Sequence, residues 1–118
     1  MTLITSAQRL QLLTNAKVTR DAELTDKSVD HYPVVKLFTP DAHCTWLLTE
    51  IDTDDRDRAF GLCDLGQGCP ELGYVSLREI ESLRGTLGLK VERDLHFEAD
   101  RTLSAYAQLA HERQRIVS

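Results

Sequence analysis

The sequence predicts an α+β fold: a mainly antiparallel sheet, made of a four-strand meander plus a fifth strand, with helices packed on one face in the order α-β-β-β-β-α-β-α. Four short runs rich in β-branched and aromatic residues follow one another between Pro33 and Ser76. The links between them are short and rich in Asp, Gly and Pro, which suits hairpins, whereas parallel pairing needs crossovers of about a dozen residues or more. Segments with helical spacing and capping signals flank these runs on both sides.

The first helix is expected over residues 6–15. Thr5 and Gln8 have the spacing of a capping box, Leu10 and Leu13 follow at helical intervals, and Asn15 is a plausible stop. Residues 16–31, "AKVTRDAELTDKSVDH", are polar and without sustained periodicity, and read as a mobile connection. The strands are "VVKLF" (34–38), "TWLLTEI" (45–51), "AFGLCDL" (59–65) and "LGYVS" (72–76). Ser76 and Glu79 then form a second capping box, Val75 and Ile80 are spaced as a hydrophobic staple, and Gly85 follows as a C-terminal cap. In "LKVERDLHF" (89–97), Leu89, Val91, Leu95 and Phe97 alternate with ionisable residues, the pattern of a half-exposed fifth strand. Thr102 or Asp100 can cap a last helix in which Leu103, Tyr106, Ala107 and Ala110 share a face.

At 118 residues, with 42% hydrophobic and 28% charged residues, the chain has the size and composition of a single domain, 1–118, with one core. No apolar stretch approaches the roughly 20 residues of a membrane span, and the N-terminus lacks a basic start before an apolar run, so a soluble protein that is not exported is expected. Cys44, Cys63 and Cys69 are odd in number, which favours reduced thiols and a cytoplasmic location over a disulfide framework. The net charge of −5 disfavours a general nucleic-acid binder, whose affinity comes largely from Lys and Arg displacing counterions. The one basic tract, "HERQR" (111–115), reads as a helix end where cations complement the dipole.

The phrases "VKLF", "TWLLTE", "FGLCDLG" and "ELGYVSL", with "VERDLHF" and "LSAYA" beyond them, resemble the DUF2958 family of bacterial proteins over residues 33 to about 110. The resemblance implies a small cargo protein of plasmids, integrative elements or phages, and brings no activity, cofactor or catalytic residue with it. At position 69 the chain has Cys where the family pattern suggests a larger apolar residue, which argues against a family-wide site at Cys69. Residues 16–31 lie outside the resemblance.

The densest concentration of chemistry is "DTDDRDR" (52–58), with Asp52, Asp54, Asp55 and Asp57. Counted as a calcium loop it fails, because Arg56, Asp57 and Cys63 stand where an oxygen ligand, a Gly and a bidentate Glu are needed. It reads instead as a charged hairpin tip. Cys63 and Cys69 are too widely spaced for a zinc knuckle; His43, Cys44 and Cys63 form an imaginable zinc grouping, but Cys63 alternates as a small strand residue. His96, between Asp94 and Glu98 and in step with Glu92, forms a candidate general-base or metal constellation, against the alternative of a solvated strand face. No Walker loop or nucleophile elbow occurs, and no cofactor is expected. Phe38, Trp46 and Tyr74 suit an aromatic platform for bases or, without interleaved Lys and Arg, a core.

The expected function is therefore a non-enzymatic protein-binding accessory of mobile-element type, whose carboxylates Asp52, Asp54, Asp55, Asp57, Glu92 and Asp94 contact a host or element protein, for example as an inhibitor of restriction or CRISPR effectors. The alternatives are a metal-assisted hydrolase or nuclease using His96 and nearby carboxylates, and a nucleic-acid-binding accessory. Oligomeric state is left open.

Overall fold

The computed structural model describes residues 3–118. Three helices, α1 (Ser6–Glu23), α2 (Leu77–Ser82) and α3 (Leu103–Arg113), accompany five strands: β1 (Val35–Phe38), β2 (Thr45–Ile51), β3 (Arg58–Asp64), β4 (Glu71–Ser76) and β5 (Glu92–Arg93). They form one antiparallel sheet in the order β4-β3-β2-β1-β5, so the four-strand meander and the fifth strand have the predicted topology.

Period-two alternation gives the sheet two buried faces. On one face Val35, Leu37, Trp46, Leu48 and Ala59 pack with Ile4, Leu12 of α1, and Leu77 and Ile80 of α2. On the other, Leu47 and Leu62 pack with Leu103, Tyr106 and Ala110 of α3 and with Ile116. The helices thus divide between the faces, whereas a single covered face was expected. Leu103, Tyr106 and Ala110 repeat at helical spacing on α3 and need an apolar floor, which Leu47 and Leu62 supply.

Helix α1 runs eight residues past the predicted stop at Asn15. Its capping box forms as read, Thr5 Oγ1 accepting from the Gln8 N–H at 3.0 Å and Gln8 Oε1 accepting from the Thr5 N–H at 3.0 Å. The reason it does not end at Asn15 is a β-bulge in β2. The β2–β3 register shifts between Leu48 and Glu50, leaving Thr49 without a register partner on β3, although its hydroxyl donates to the Phe60 carbonyl at 3.4 Å. Strand β1 pairs only with Thr45–Leu48, so it does not reach Thr49 either. Asn15, only 8% exposed, donates its side-chain amide to the Thr49 carbonyl at 3.0 Å, while Gln11 holds the Asn15 oxygen at 2.8 Å. Next to the bulge the strands approach so closely that a Cβ on Gly61 would lie 2.0 Å from the Leu47 carbonyl oxygen.

Residues 16–23, read as part of a mobile connection, are therefore helix, and the connection itself is tied to α3. The Asp30 carboxylate accepts from the Ser104 N–H at 3.1 Å and from the Ser104 hydroxyl, and the Leu103 N–H donates to the His31 carbonyl at 2.8 Å. Thr102 occupies the N-cap position of α3 but makes no side-chain capping bond, so Asp30 performs the capping that Thr102 or Asp100 was expected to perform.

Helix α2 starts as predicted, with Ser76 Oγ accepting from the Glu79 N–H at 3.2 Å. It ends in extended backbone at Leu83, and Gly85 is not its left-handed cap. Gly85 instead backs onto the Asp41 carboxylate, which accepts from the Leu87 N–H at 2.6 Å. The fifth strand shrinks from the expected 89–97 to Glu92–Arg93. Of its apolar alternation Val91 is buried, but Leu95 is 70% exposed.

Candidate functional site

The aspartates of 52–57 build the turn between β2 and β3. Asp52 Oδ1 accepts from the N–H groups of Asp54 (2.8 Å) and Asp55 (3.3 Å), and Asp55 Oδ1 accepts from that of Asp57 (3.1 Å). Such side chain to backbone bonds are why Asp favours turns. Asp57 then reaches across to the start of α2, accepting from the Ser76 hydroxyl at 2.5 Å and the Arg78 N–H at 2.8 Å. Those two donors hold the Asp57 carboxyl below its usual range, and the Asp54 N–H, followed by that of Asp55, does the same for Asp52. Asp54 pairs with Arg20 of α1 at 2.6 Å, both side chains largely exposed.

The extra turns of α1 give this hairpin a neighbour. Thr19, Arg20 and Glu23 of α1, Glu50 of β2, Asp52, Phe60 of β3 and Tyr74 of β4 line an open cleft of about 220 Å³. Three carboxylates, Glu23, Glu50 and Asp52, thus come from three segments to one hollow whose floor is aromatic. Phe60 and Tyr74 meet edge to face at 5.0 Å, and the Arg58 guanidinium lies 3.8 Å from the Tyr74 ring centre. The Thr19 hydroxyl donates to Glu50 Oε2 at 3.1 Å and lies 2.8 Å from His31 Nε2. Burial pushes the Glu50 carboxyl above its usual range, and the Glu23 charge adds to this, while the Thr19 bond and His31 oppose it.

The remaining predicted residues do not join this cleft. Glu92 and Asp94 lie at or beside β5, at the opposite edge of the sheet from β4. Glu92 is exposed, whereas Asp94 is 3.7 Å from Lys36 Nζ and accepts from the His96 N–H at 2.8 Å. The strand ends at Arg93, so Glu92, His96 and Glu98 do not share the strand face on which the general-base reading depended. Asp94 instead borders a second, polar hollow of about 510 Å³ with Lys36, His43, Asp64 and Arg115. There the buried Asp64 accepts from the Gly66 N–H at 2.8 Å and the Ile116 N–H at 2.9 Å, pinning the C-terminal segment to the sheet.

Cys44, Cys63 and Cys69 are free thiols. Cys44 and Cys63 border the core beneath α1, and burial, followed by the nearby Glu71 charge, pushes the Cys63 thiol up to about 11. Among the described residues no group of three or more His, Cys, Asp or Glu is arranged to hold a metal ion. Trp46 is buried on the face that packs with Leu12, while Tyr74 is exposed on the other, so the aromatics do not form a common platform. His111 and Arg113 of the basic tract fall in the last turn of α3, and Gln114 closes it in the left-handed conformation.

Glu23, Glu50 and Thr19 were absent from the sequence-predicted site. The available signal was the absence of Gly and Pro between residues 6 and 32, together with Leu12, Asn15, Thr19 and Glu23 at three- and four-residue intervals.

A family model described as "Protein of unknown function (DUF2958)" matches residues 3–117, which includes α1 and the segment 16–31 that the resemblance seen in the sequence left out. No curated protein and no solved structure matches the chain. No described helix is long and apolar enough to cross a membrane.

Proposed function

The chain belongs to the DUF2958 family, and from that premise we propose that it is a non-enzymatic, protein-binding accessory of mobile-element type. It acts in the cytoplasm, and its acidic cleft receives a basic side chain of a host or element protein. One observation carries this reading: Glu23, Glu50 and Asp52 converge on an open hollow floored by Phe60 and Tyr74. Carboxylates gathered in one hollow suit a guanidinium or ammonium group through charge and charge-assisted hydrogen bonds. Asp55 stands exposed in the adjoining turn, and the net charge of −5 extends the attraction to longer range. A protein offering carboxylates in this way competes for surfaces that hold nucleic acid, which fits an inhibitor of restriction or CRISPR effectors.

The turn aspartates are unsuitable for a test because three of them hold the hairpin together. Glu23→Gln/Glu50→Gln removes two charges from the cleft while keeping size and hydrogen-bonding capacity. Affinity capture from the native bacterial cytoplasm should recover a partner with wild-type protein and lose it with the double variant. Equal recovery by both would exclude the cleft as the binding site.

A further inference from the structure

We propose that two copies of the chain associate through antiparallel pairing of their β4 edges, Leu72 of each facing Tyr74 of the other, so that the sheet runs on from copy to copy. The two edges of the sheet are treated differently. At one, β5 is two residues long and consists of Glu92 and Arg93, the short and charged form that discourages pairing. At the other, β4 is six residues long and pairs with β3 in continuous register from Arg58↔Ser76 to Cys63↔Glu71, with no bulge. It contains no Lys and no Pro. Among the described residues, no backbone–backbone hydrogen bond outside the ladder to β3 involves Glu71–Val75; Ser76 serves as the N-cap of α2. Leu72 and Tyr74, on the face that packs against α3, are 48% and 59% exposed.

The strand and its surroundings are self-complementary in the register centred on Gly73. Opposed residues must point to the same face, so the two-fold axis lies between the strands level with a residue that faces its own copy, not level with the midpoint between two residues. Centred on Gly73, the pairing sets Leu72 against Tyr74 of the second copy, twice, an aromatic–aliphatic cross-strand pair. Nothing lies within 4 Å of the position a Gly73 Cβ would take, so the axis is unobstructed on the other face. Arg58 travels with Tyr74, stacked 3.8 Å from its ring centre, while Leu72 shares an apolar groove with Glu71, His111 and Glu112. The Gly73 register therefore brings Arg58 of each copy toward Glu112 of the other. Centring on Tyr74 would bring the two Arg58 side chains together, a like-charge contact. This charge match is what selects a second copy as the occupant of the edge; Tyr74, which also lines the acidic cleft, is common to both surfaces.

Sedimentation equilibrium of the full chain over a concentration series reads the association directly. The wild type should approach twice the 13.3 kDa chain mass. Leu72→Lys, at a half-exposed position, should weaken the dimer by about tenfold or more, as should Glu112→Arg and Arg58→Glu singly. Glu112→Arg/Arg58→Glu should recover most of the wild-type affinity, and circular dichroism melting should show each variant folded. A monomer at every concentration overturns the proposal. So does a dimer indifferent to Leu72→Lys, or a double reversal no stronger than either single one.

Discussion

The side-chain amide of Asn15 donates to the carbonyl of Thr49 at 3.0 Å, at the one residue of β2 that has no register partner on either neighbouring strand. That bond joins the middle of α1 to the bulge and directs the following turns of the helix over Glu50, making the cleft. Replacing Asn15 with Leu leaves a buried carbonyl without a donor, which costs about 1–3 kcal/mol. Urea unfolding should show the midpoint falling with an unchanged slope.

Gly61, beside the same bulge, faces the Leu47 carbonyl oxygen where a methyl group would stand. The obstacle is backbone in a central strand and has no room to yield. Gly61→Ala should cost about 3 kcal/mol, at the upper end of overpacking, whereas Gly73→Ala on the open edge strand should leave monomer stability within roughly 0.5 kcal/mol. Thermal melts of the two variants side by side separate these outcomes.

Asp30 holds the first turn of α3 from a different part of the chain. Partial burial pushes its carboxyl upward, but the Ser104 hydroxyl and N–H outweigh that and hold it below 3.8. A carboxyl depressed in the folded state stabilises the fold above its unfolded value, and this stabilisation disappears as pH falls through the folded value. Asp30→Asn should therefore lose about 1 kcal/mol near neutral pH, with the gap to wild type closing as pH drops below about 3.8. A gap independent of pH would show that the charge has no part in the cap.

Glu50 has the opposite sign. With its carboxyl raised above 4.5 chiefly by burial, the folded chain binds a proton more readily than the unfolded one. Wild-type stability should therefore decline as pH rises from about 4.5 through the folded value, and Glu50→Gln should lack that decline and be the more stable protein at neutral pH. Denaturation across pH 4 to 7 checks the crossing of the two curves.

Sequence patterns revealed the sheet well and the cleft poorly, for one physical reason. Period-two burial in "TWLLTEI" and "AFGLCDL" is a local property, and the Ser76–Glu79 box caps α2 from three residues away, so both are visible without knowing the fold. The extension of α1 is decided by Thr49, 34 residues from Asn15, and the start of α3 by Asp30, 74 residues from Ser104. Polar residues whose partners are that remote look like turn or loop chemistry when read alone, which is how Asn15 became a stop and 16–31 a connection. The fifth strand was overextended because the alternation in 89–97 promised a floor for Leu89 and Leu95 that the tertiary fold does not provide.

The direct test of the acidic cleft is a chemical-shift titration of isotopically labelled protein with a short arginine-rich peptide, repeated with Glu23→Gln/Glu50→Gln. Saturable shifts concentrated at residues 19–23, 50–54 and 74, and lost in the double variant, are the result that the binding role predicts. Shifts spread evenly over exposed carboxylates such as Glu92 and Glu98, or unchanged in the variant, would contradict it.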